Sequence, residues 1–167
     1  SYAWYEDGAL SSASASSVFP ASATSKDRSY RVVVTPSDGM GDGETGEAEI
    51  VVANSAPVVA TPTVSPSTGV TTSEVLTCSS TASDADGDTP TVTYAWTNSS
   101  TGTALGARGT VTLDPSSTSP GDVVVCEATA TDDDGATDSA SASVTVQNSN
   151  PTVDSVVISP SSGVETD

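Results

Sequence analysis

The feature that most constrains this chain is an internal repeat at a fixed distance. Residues 56–70 align without gaps with residues 150–164, at an offset of 94 positions. The same offset aligns residues 30–54 with residues 124–148. Self-similarity at a fixed distance is the signature of tandem structural units. The sequence therefore predicts several copies of one unit joined end to end.

The repeat also predicts the boundaries of these units. Residues 1–54 are expected to be the C-terminal part of a first unit, residues 55–149 a complete unit with its linkers, and residues 150–167 the N-terminal strand of a third. Each linker contains a proline, which favours an extended connection and a semi-rigid row of domains. Because the outer units are incomplete, we expect either further sequence of a longer polypeptide or strands of a neighbouring copy to complete them.

Short runs of alternating apolar and polar residues predict that the complete unit is all-β. The runs are residues 58–64, 74–82, 91–97, 109–113, 122–131 and 138–147. In the third run Val92, Tyr94 and Trp96 share one face at a period of two, which is the period of a β-strand. Apolar residues make up only 35% of the chain, but their concentration in these runs favours ordered strands over disorder.

The charge of the chain excludes several classes of partner and activity. It has 22 acidic residues, 4 basic residues and no histidine, which gives a net charge of −18. Such a chain repels phosphate backbones and anionic membrane surfaces, so nucleic-acid binding is excluded. No apolar stretch is long enough for direct membrane insertion as a helix. Because Lys26 is the only lysine and the serines have no evident base to activate them, an enzyme is not expected.

The two cysteines of the complete unit lie on either side of a tryptophan. Cys78 and Cys126 are 48 residues apart, and Trp96 lies between them. The pair is either a disulfide or two buried free thiols, and the secreted type of composition favours the disulfide. A zinc site is disfavoured because the chain has no histidine and no third cysteine. Val32 occupies the position of Cys126 in the first unit, which is therefore expected to lack the crosslink.

Several motifs resemble those of the tandem Ig-like, PKD-like and cadherin-like repeats of large bacterial surface proteins. They are Ser83-Asp84-Ala85-Asp86-Gly87-Asp88, Tyr94-Ala95-Trp96, Ala130-Thr131-Asp132-Asp133-Asp134-Gly135 and the linker Asn148-Ser149-Asn150-Pro151. The resemblance implies tandem Ig-like β-sandwich domains, one complete and two truncated. It also implies that Cys78 and Cys126 join the two sheets beside Trp96, and that the protein is extracellular or at the cell surface.

Two acidic loops of the complete unit predict a calcium site. The expected ligands are Asp84, Asp86, Asp88, Asp132, Asp133, Asp134 and Asn54. In an Ig-like sandwich these two loops emerge at the pole where the N-terminal strand begins, so their carboxylates would crowd around the linker. A calcium ion, which takes about six to eight oxygen ligands, would relieve the repulsion and stiffen the joint. The alternative is that the Asp-Gly pairs form ordinary turns with solvated charges.

Two classes of function remain. Repetition and the scarcity of aromatic residues favour a structural or adhesive repeat protein that forms a stalk or filament, with neighbouring repeats or further copies of the same protein as partners. The alternative is an Ig-like module that binds a glycan or protein ligand within a larger secreted protein. The motif Asn98-Ser99-Ser100 also fits a glycosylation acceptor, although such motifs arise by chance in a serine-rich chain.

Overall fold

The computed structural model of the protein describes residues 1–159. Their regular structure is β-strand throughout, apart from one short 3-10 turn at Ala21–Ala23. The all-β class predicted from the alternating runs is therefore confirmed. Among the described residues, no helix is both long enough and apolar enough to span a membrane. Residues 1–54 are called the first unit below, and residues 55–149 the second unit.

The first unit contains one antiparallel sheet of four strands in the order β2-β1-β3-β4. The strands are β1 (Tyr2–Glu6), β2 (Ala9–Leu10), β3 (Ser29–Val34) and β4 (Gly46–Val51). Phe19, from the segment between β2 and β3, packs between Trp4 and Tyr30 with ring centroids 5.1 and 5.2 Å away. Ile50, which pairs with Tyr30, is 66% exposed, so this aromatic cluster covers only part of the sheet face.

The second unit is a sandwich of two sheets. Its strands are β5 (Val58–Val59), β6 (Thr63–Ser65), β7 (Val75–Ser79), β8 (Ala82–Ser83), β9 (Thr91–Asn98), β10 (Thr103–Gly106), β11 (Thr110–Thr112), β12 (Val123–Thr131) and β13 (Thr137–Thr145). One sheet has the order β10-β9-β12-β13 and the other the order β11-β7-β6, while β5 pairs with β8. This arrangement is consistent with the predicted Ig-like sandwich. The strand β10 was not predicted.

The core of the second unit lies between its two sheets. Trp96 in β9 is 1% exposed, and Leu76 in β7 and Val124 in β12 are fully buried in the same cluster. The predicted disulfide between Cys78 and Cys126 is present and joins β7 to β12 across the sandwich. Trp96 lies opposite Cys126 in the register of β9 and β12, so the largest apolar ring and the crosslink support the same part of the core.

The two units use the same strand register around their tryptophans. Trp4 lies opposite Val32 in the first unit, as Trp96 lies opposite Cys126 in the second. Each indole N–H donates a hydrogen bond to the backbone carbonyl 12 residues further along the chain, at 2.9 Å in the first unit and 2.8 Å in the second. The sequence repeat therefore corresponds to a repeated strand arrangement.

The sequence predicts the N-terminal strand of a third unit in the segment after the second unit. Within the described part of this segment, residues 150–159, there is no strand, and Val153 and Ile158 are 80% and 79% exposed. The rest of the predicted strand, at residues 160–167, lies outside the described residues.

Candidate functional site

The two acidic loops of the second unit meet at the end of the sandwich where the linker from the first unit enters. One loop connects β8 to β9, and the other connects β12 to β13. Carboxylate oxygens of Asp84 and Asp88, from the first loop, lie within 4.8 Å of one another and of a carboxylate oxygen of Asp132, from the second. Three of the predicted ligands thus form one cluster, which is called the carboxylate cluster below.

Asp132 forms the turn of the second loop and also binds the linker. Its Oδ1 atom accepts hydrogen bonds from the backbone N–H groups of Asp134, at 3.0 Å, and Ala136, at 2.7 Å. Its Oδ2 atom accepts a hydrogen bond of 2.8 Å from the side-chain amide of Asn54. Asp132 is buried, and the pKa of its carboxyl is lowered, chiefly by the Asn54 amide and then by the backbone donors.

Two further aspartates accept hydrogen bonds from the backbone as it passes from the first unit to the second. Asp86 Oδ2 accepts one from the N–H of Ser55 at 2.6 Å, and Asp138 Oδ2 accepts one from the N–H of Val59 at 2.9 Å. Pro57 lies between these two donors and is buried. Because Pro57 favours an extended conformation in the preceding residue, the linker presents its N–H groups to the acidic loops instead of folding back.

Lys26 of the first unit inserts its ammonium group among the acidic loops. Lys26 Nζ donates hydrogen bonds to Asp88 Oδ2 at 2.5 Å and to Asn54 Oδ1 at 3.3 Å, and it also pairs closely with Asp134. The side chain of Lys26 is 21% exposed and that of Asp88 is 13% exposed. The pKa of the Lys26 ammonium is raised, first by the hydrogen bond to Asp134 and then by that to Asp88.

The role of Lys26 was missed in the sequence analysis. The repeat aligns Lys26 with Pro120, so the position shows no basic residue in common between the units. The available signal was its scarcity, because a lone lysine in a chain with 22 acidic residues is a natural partner for an acidic cluster. Lys26 also lies in the loop just before β3, and β3 runs antiparallel to β4, which leads into the linker.

Asp84 provides the strongest reason to consider a metal ion in the carboxylate cluster. Its Oδ1 atom accepts a hydrogen bond from the N–H of Asp86 at 2.7 Å. Its Oδ2 atom is buried and has no hydrogen-bond partner among the described residues. A buried oxygen of this kind costs free energy that a hard cation would offset. Ligand oxygens on opposite sides of a calcium ion are separated by about 5 Å, so the spacing of Asp84, Asp88 and Asp132 fits calcium.

The other predicted ligands have different surroundings. Asp86 binds the linker backbone, Asp134 pairs with Lys26, and Asn54 bridges the lysine and the carboxylate cluster. Asp133 is exposed, and its side chain makes no hydrogen bond within the part of the chain that the structure describes. The predicted set of seven residues thus separates into three clustered carboxylates, three residues that hold the joint, and one solvated aspartate.

Asn98, the residue of the glycosylation motif, is fully buried. Its Nδ2 atom donates to Asp122 Oδ2 at 2.8 Å and to the carbonyl oxygen of Ser117 at 3.0 Å, while its Oδ1 atom accepts from the N–H of Ser100 at 3.1 Å. A glycan would have to be attached to the nitrogen that makes two of these bonds. The geometry therefore assigns Asn98 to the internal structure of the second unit.

Comparison with known proteins identified one family. The profile described as bacterial Ig domain matches residues 54–146, which are the last residue of the first unit and all but the last three residues of the second. No curated protein and no solved structure matches the chain. The matched range contains the carboxylate cluster, the disulfide and Asn54, whereas Lys26 lies outside it.

Proposed function

The chain belongs to the bacterial Ig domain family, and from that premise we propose that it is part of an extracellular stalk or filament with an adhesive role. Domains of this family are typically found outside the cell or on its surface, and they are typically not enzymes. In the proposed function the tandem units are stiff spacers. Calcium bound at the joint between the first and second units increases that stiffness.

The observation that carries the proposal is the set of polar contacts across the joint. The side chain of Asn54 binds one aspartate of the second unit, and Lys26 pairs with two more. The backbone of Ser55, the first residue after Asn54, donates to a fourth aspartate, Asp86. Flexible linkers generally leave their backbone groups to water, and the domains that they join move independently. Here a change in the angle between the units would break several hydrogen bonds at once. The joint therefore supports a spacer function.

The carboxylate cluster supports calcium as the stiffening ion. Asp84, Asp88 and Asp132 would repel one another when all three are ionised, and a divalent cation would remove that repulsion. Asp132 also accepts the hydrogen bond from Asn54. An ion held by Asp132 would therefore fix the residue that holds the linker.

A glycan-binding module is the second candidate, and exposed aromatic rings would favour it. Tyr2 is 39% exposed, whereas Tyr5 lies beneath Arg31, whose guanidinium carbon is 4.4 Å from the ring centroid. Trp4 and Trp96 face the interiors of their units. Because the described aromatic residues do not form an exposed platform, the spacer function is the better supported of the two.

Calorimetry with calcium chloride on the chelator-treated chain tests the role of calcium. We expect saturable binding and a higher melting temperature in calcium. Asp84→Asn is expected to abolish both effects, whereas Asp133→Asn, which changes an exposed neighbour in the other loop, is expected to leave them unchanged. A wild-type chain that shows neither heat nor a change in melting temperature would contradict the calcium site. Scattering profiles typical of freely moving domains, with and without calcium, would contradict the stiff spacer.

A further inference from the structure

The first unit supplies a cation of its own to the acidic loops of the second unit. Lys26 is the only lysine in the chain, and its ammonium donates to Asp88, Asp134 and Asn54. Its side chain and that of Asp88 are both largely shielded from water. Ion pairs that are partly shielded are screened less by salt than exposed ones. The structure therefore already contains one solution to the excess of negative charge at the joint.

Lys26 and a bound metal ion would compete for the carboxylate of Asp88. Asp88 is a partner of Lys26, through its Oδ2 atom, and it is also a member of the carboxylate cluster with Asp84 and Asp132. A calcium ion bound to the Asp88 carboxylate would lie within a few ångströms of the lysine ammonium. Two cations at that separation repel strongly in a site with restricted access to water. One carboxylate therefore cannot hold both cations at full strength.

We propose that Lys26 is a tethered cation that holds the joint closed in the absence of metal, and that calcium binds the carboxylate cluster only by displacing Lys26 from Asp88. The second half of this inference rests on the proposed calcium function. Lys26 thereby sets the calcium concentration at which the joint changes from a lysine-held to a calcium-held state. Asp134, which is outside the carboxylate cluster, remains available to the displaced ammonium.

The repeat places no lysine at the equivalent position of the second unit. Pro120 occupies the position of Lys26 in the second unit, and it carries no charge. Asn148 occupies the position of Asn54, so the amide of the linker is repeated where the lysine is not. The two units therefore share the linker asparagine but not the lysine. Lys26 gives this joint a cation that the equivalent position of the second unit does not supply.

Calcium titration of three chains tests the competition. Lys26→Met removes the ammonium and keeps a side chain of similar length, while Arg31→Met removes a cation whose partner, Glu47, lies within the first unit. We expect Lys26→Met to bind calcium about tenfold more tightly than the wild type, which is within the usual range of coupling between sites. Arg31→Met is expected to match the wild type. Lys26→Arg, which keeps the charge, is expected to stay closer to the wild type than Lys26→Met.

Small-angle scattering of the same chains in chelator tests whether Lys26 holds the joint closed in the absence of metal. The wild type and Arg31→Met are expected to give the narrow distance distribution of a stiff pair, and Lys26→Met a broader one that calcium narrows again. Equal calcium affinity in the wild type and Lys26→Met would overturn the competition and leave the calcium function standing. Binding in neither chain would overturn both. If Lys26→Met in chelator gave the same distance distribution as the wild type, the inference that Lys26 holds the joint closed would be overturned.

Discussion

The first and second units share a strand register but are stabilised in different ways. In the first unit Trp4 packs against Phe19 and lies opposite Val32, whereas in the second unit Trp96 lies opposite Cys126, one end of a disulfide. Trp96 is almost completely buried, while Trp4 is only partly so. The common element is thus the tryptophan with its backbone hydrogen bond. The crosslink is a reinforcement that one unit has and the other lacks.

A second comparison concerns the aspartate that forms the turn in each unit. Asp38 Oδ1 accepts hydrogen bonds from the N–H groups of Met40, at 2.9 Å, and Gly41, at 3.1 Å. Asp132, at the equivalent position, likewise accepts from the N–H two residues on, together with the N–H four residues on, and it also binds Asn54. The turn is therefore intrinsic to the repeat, whereas the bond to the linker requires a preceding unit. An aspartate-rich loop alone does not reveal whether it forms a joint.

The largest expected difference between the units comes from the disulfide. Replacing both Cys78 and Cys126 with alanine is expected to lower the free energy of unfolding of the second unit by about 4 kcal/mol, because the bridge closes a loop of 48 residues. Stability of the first unit should not change. Denaturant unfolding monitors the second unit by Trp96 fluorescence in a Trp4→Phe background, and the first by Trp4 in a Trp96→Phe background. An equal loss in both transitions would show that the units unfold as one.

The next effect concerns a buried amide that has no counterpart in the first unit. Asn98→Ala is expected to cost the second unit about 2 kcal/mol, because it removes the three hydrogen bonds of a fully buried amide. Glu6, two residues after Trp4, occupies the strand position that Asn98 holds two residues after Trp96, and it is only partly buried. Glu6→Ala is expected to change the stability of the first unit by less than about 0.5 kcal/mol. Urea unfolding of the two variants measures the difference, and equal costs would contradict the assignment of Asn98 to the core.

The sequence predicted those features of the fold that repetition and alternation encode. The faces of Trp96 and Cys126 follow from a period of two. The disulfide was favoured over free thiols by the secreted type of composition, and the resemblance to Ig-like domains implied that it joins the two sheets. The strand β10 was missed because four residues ending in Gly106 are too few to show alternation. Asn98 was considered only as a glycosylation acceptor or a chance match to that motif, since nothing in a serine-rich sequence marks it as buried.

The candidate site was predicted less completely than the fold. The sequence predicted that the two acidic loops meet at the linker, because Ig-like topology places both loops at one pole of the sandwich. It did not separate Asp84, Asp88 and Asp132 from the exposed Asp133, since side-chain direction within a loop depends on turn geometry. It also missed Lys26, whose contacts depend on how two units meet. Contacts between units have no periodic signal in the sequence.

A smaller difference in stability is expected at the residue of positive φ that lies just before β3 in the first unit and just before β12 in the second. Gly121 has a φ of +97°, and Asp27 holds the equivalent position with a φ of +63°. Their N–H groups donate to equivalent carbonyls, each at 2.8 Å. Gly121→Ala is expected to cost the second unit about 1 kcal/mol, because a β-carbon is disfavoured at positive φ. Asp27→Gly should change the first unit by less, since aspartate tolerates this conformation. Thermal unfolding of both variants compares the positions.

The smallest expected difference is in the response of the two turn aspartates to acid. The pKa values of Asp38 and Asp132 are both lowered from the ordinary value of 3.8, that of Asp38 by the N–H groups of Met40 and Gly41 and that of Asp132 chiefly by Asn54. A carboxyl whose pKa is lowered on folding stabilises the protein above its unfolded pKa. That stabilisation is lost as the pH falls through the folded value. Both units should therefore lose stability below about pH 4, with the wild-type chain kept in chelator.

Substitution by asparagine separates the contributions of Asp38 and Asp132 to the acid dependence, because an amide keeps the size of the side chain but does not titrate in this range. Asp132→Asn is expected to remove more of the acid dependence of the second unit than Asp38→Asn removes from the first, since only Asp132 also binds an amide across the joint. Melting temperatures between about pH 2.5 and 6, followed through Trp4 and Trp96 separately, measure both slopes. Equal reductions would mean that the bond to Asn54 adds nothing to the turn. In that case the joint would depend on Lys26 and the linker backbone alone.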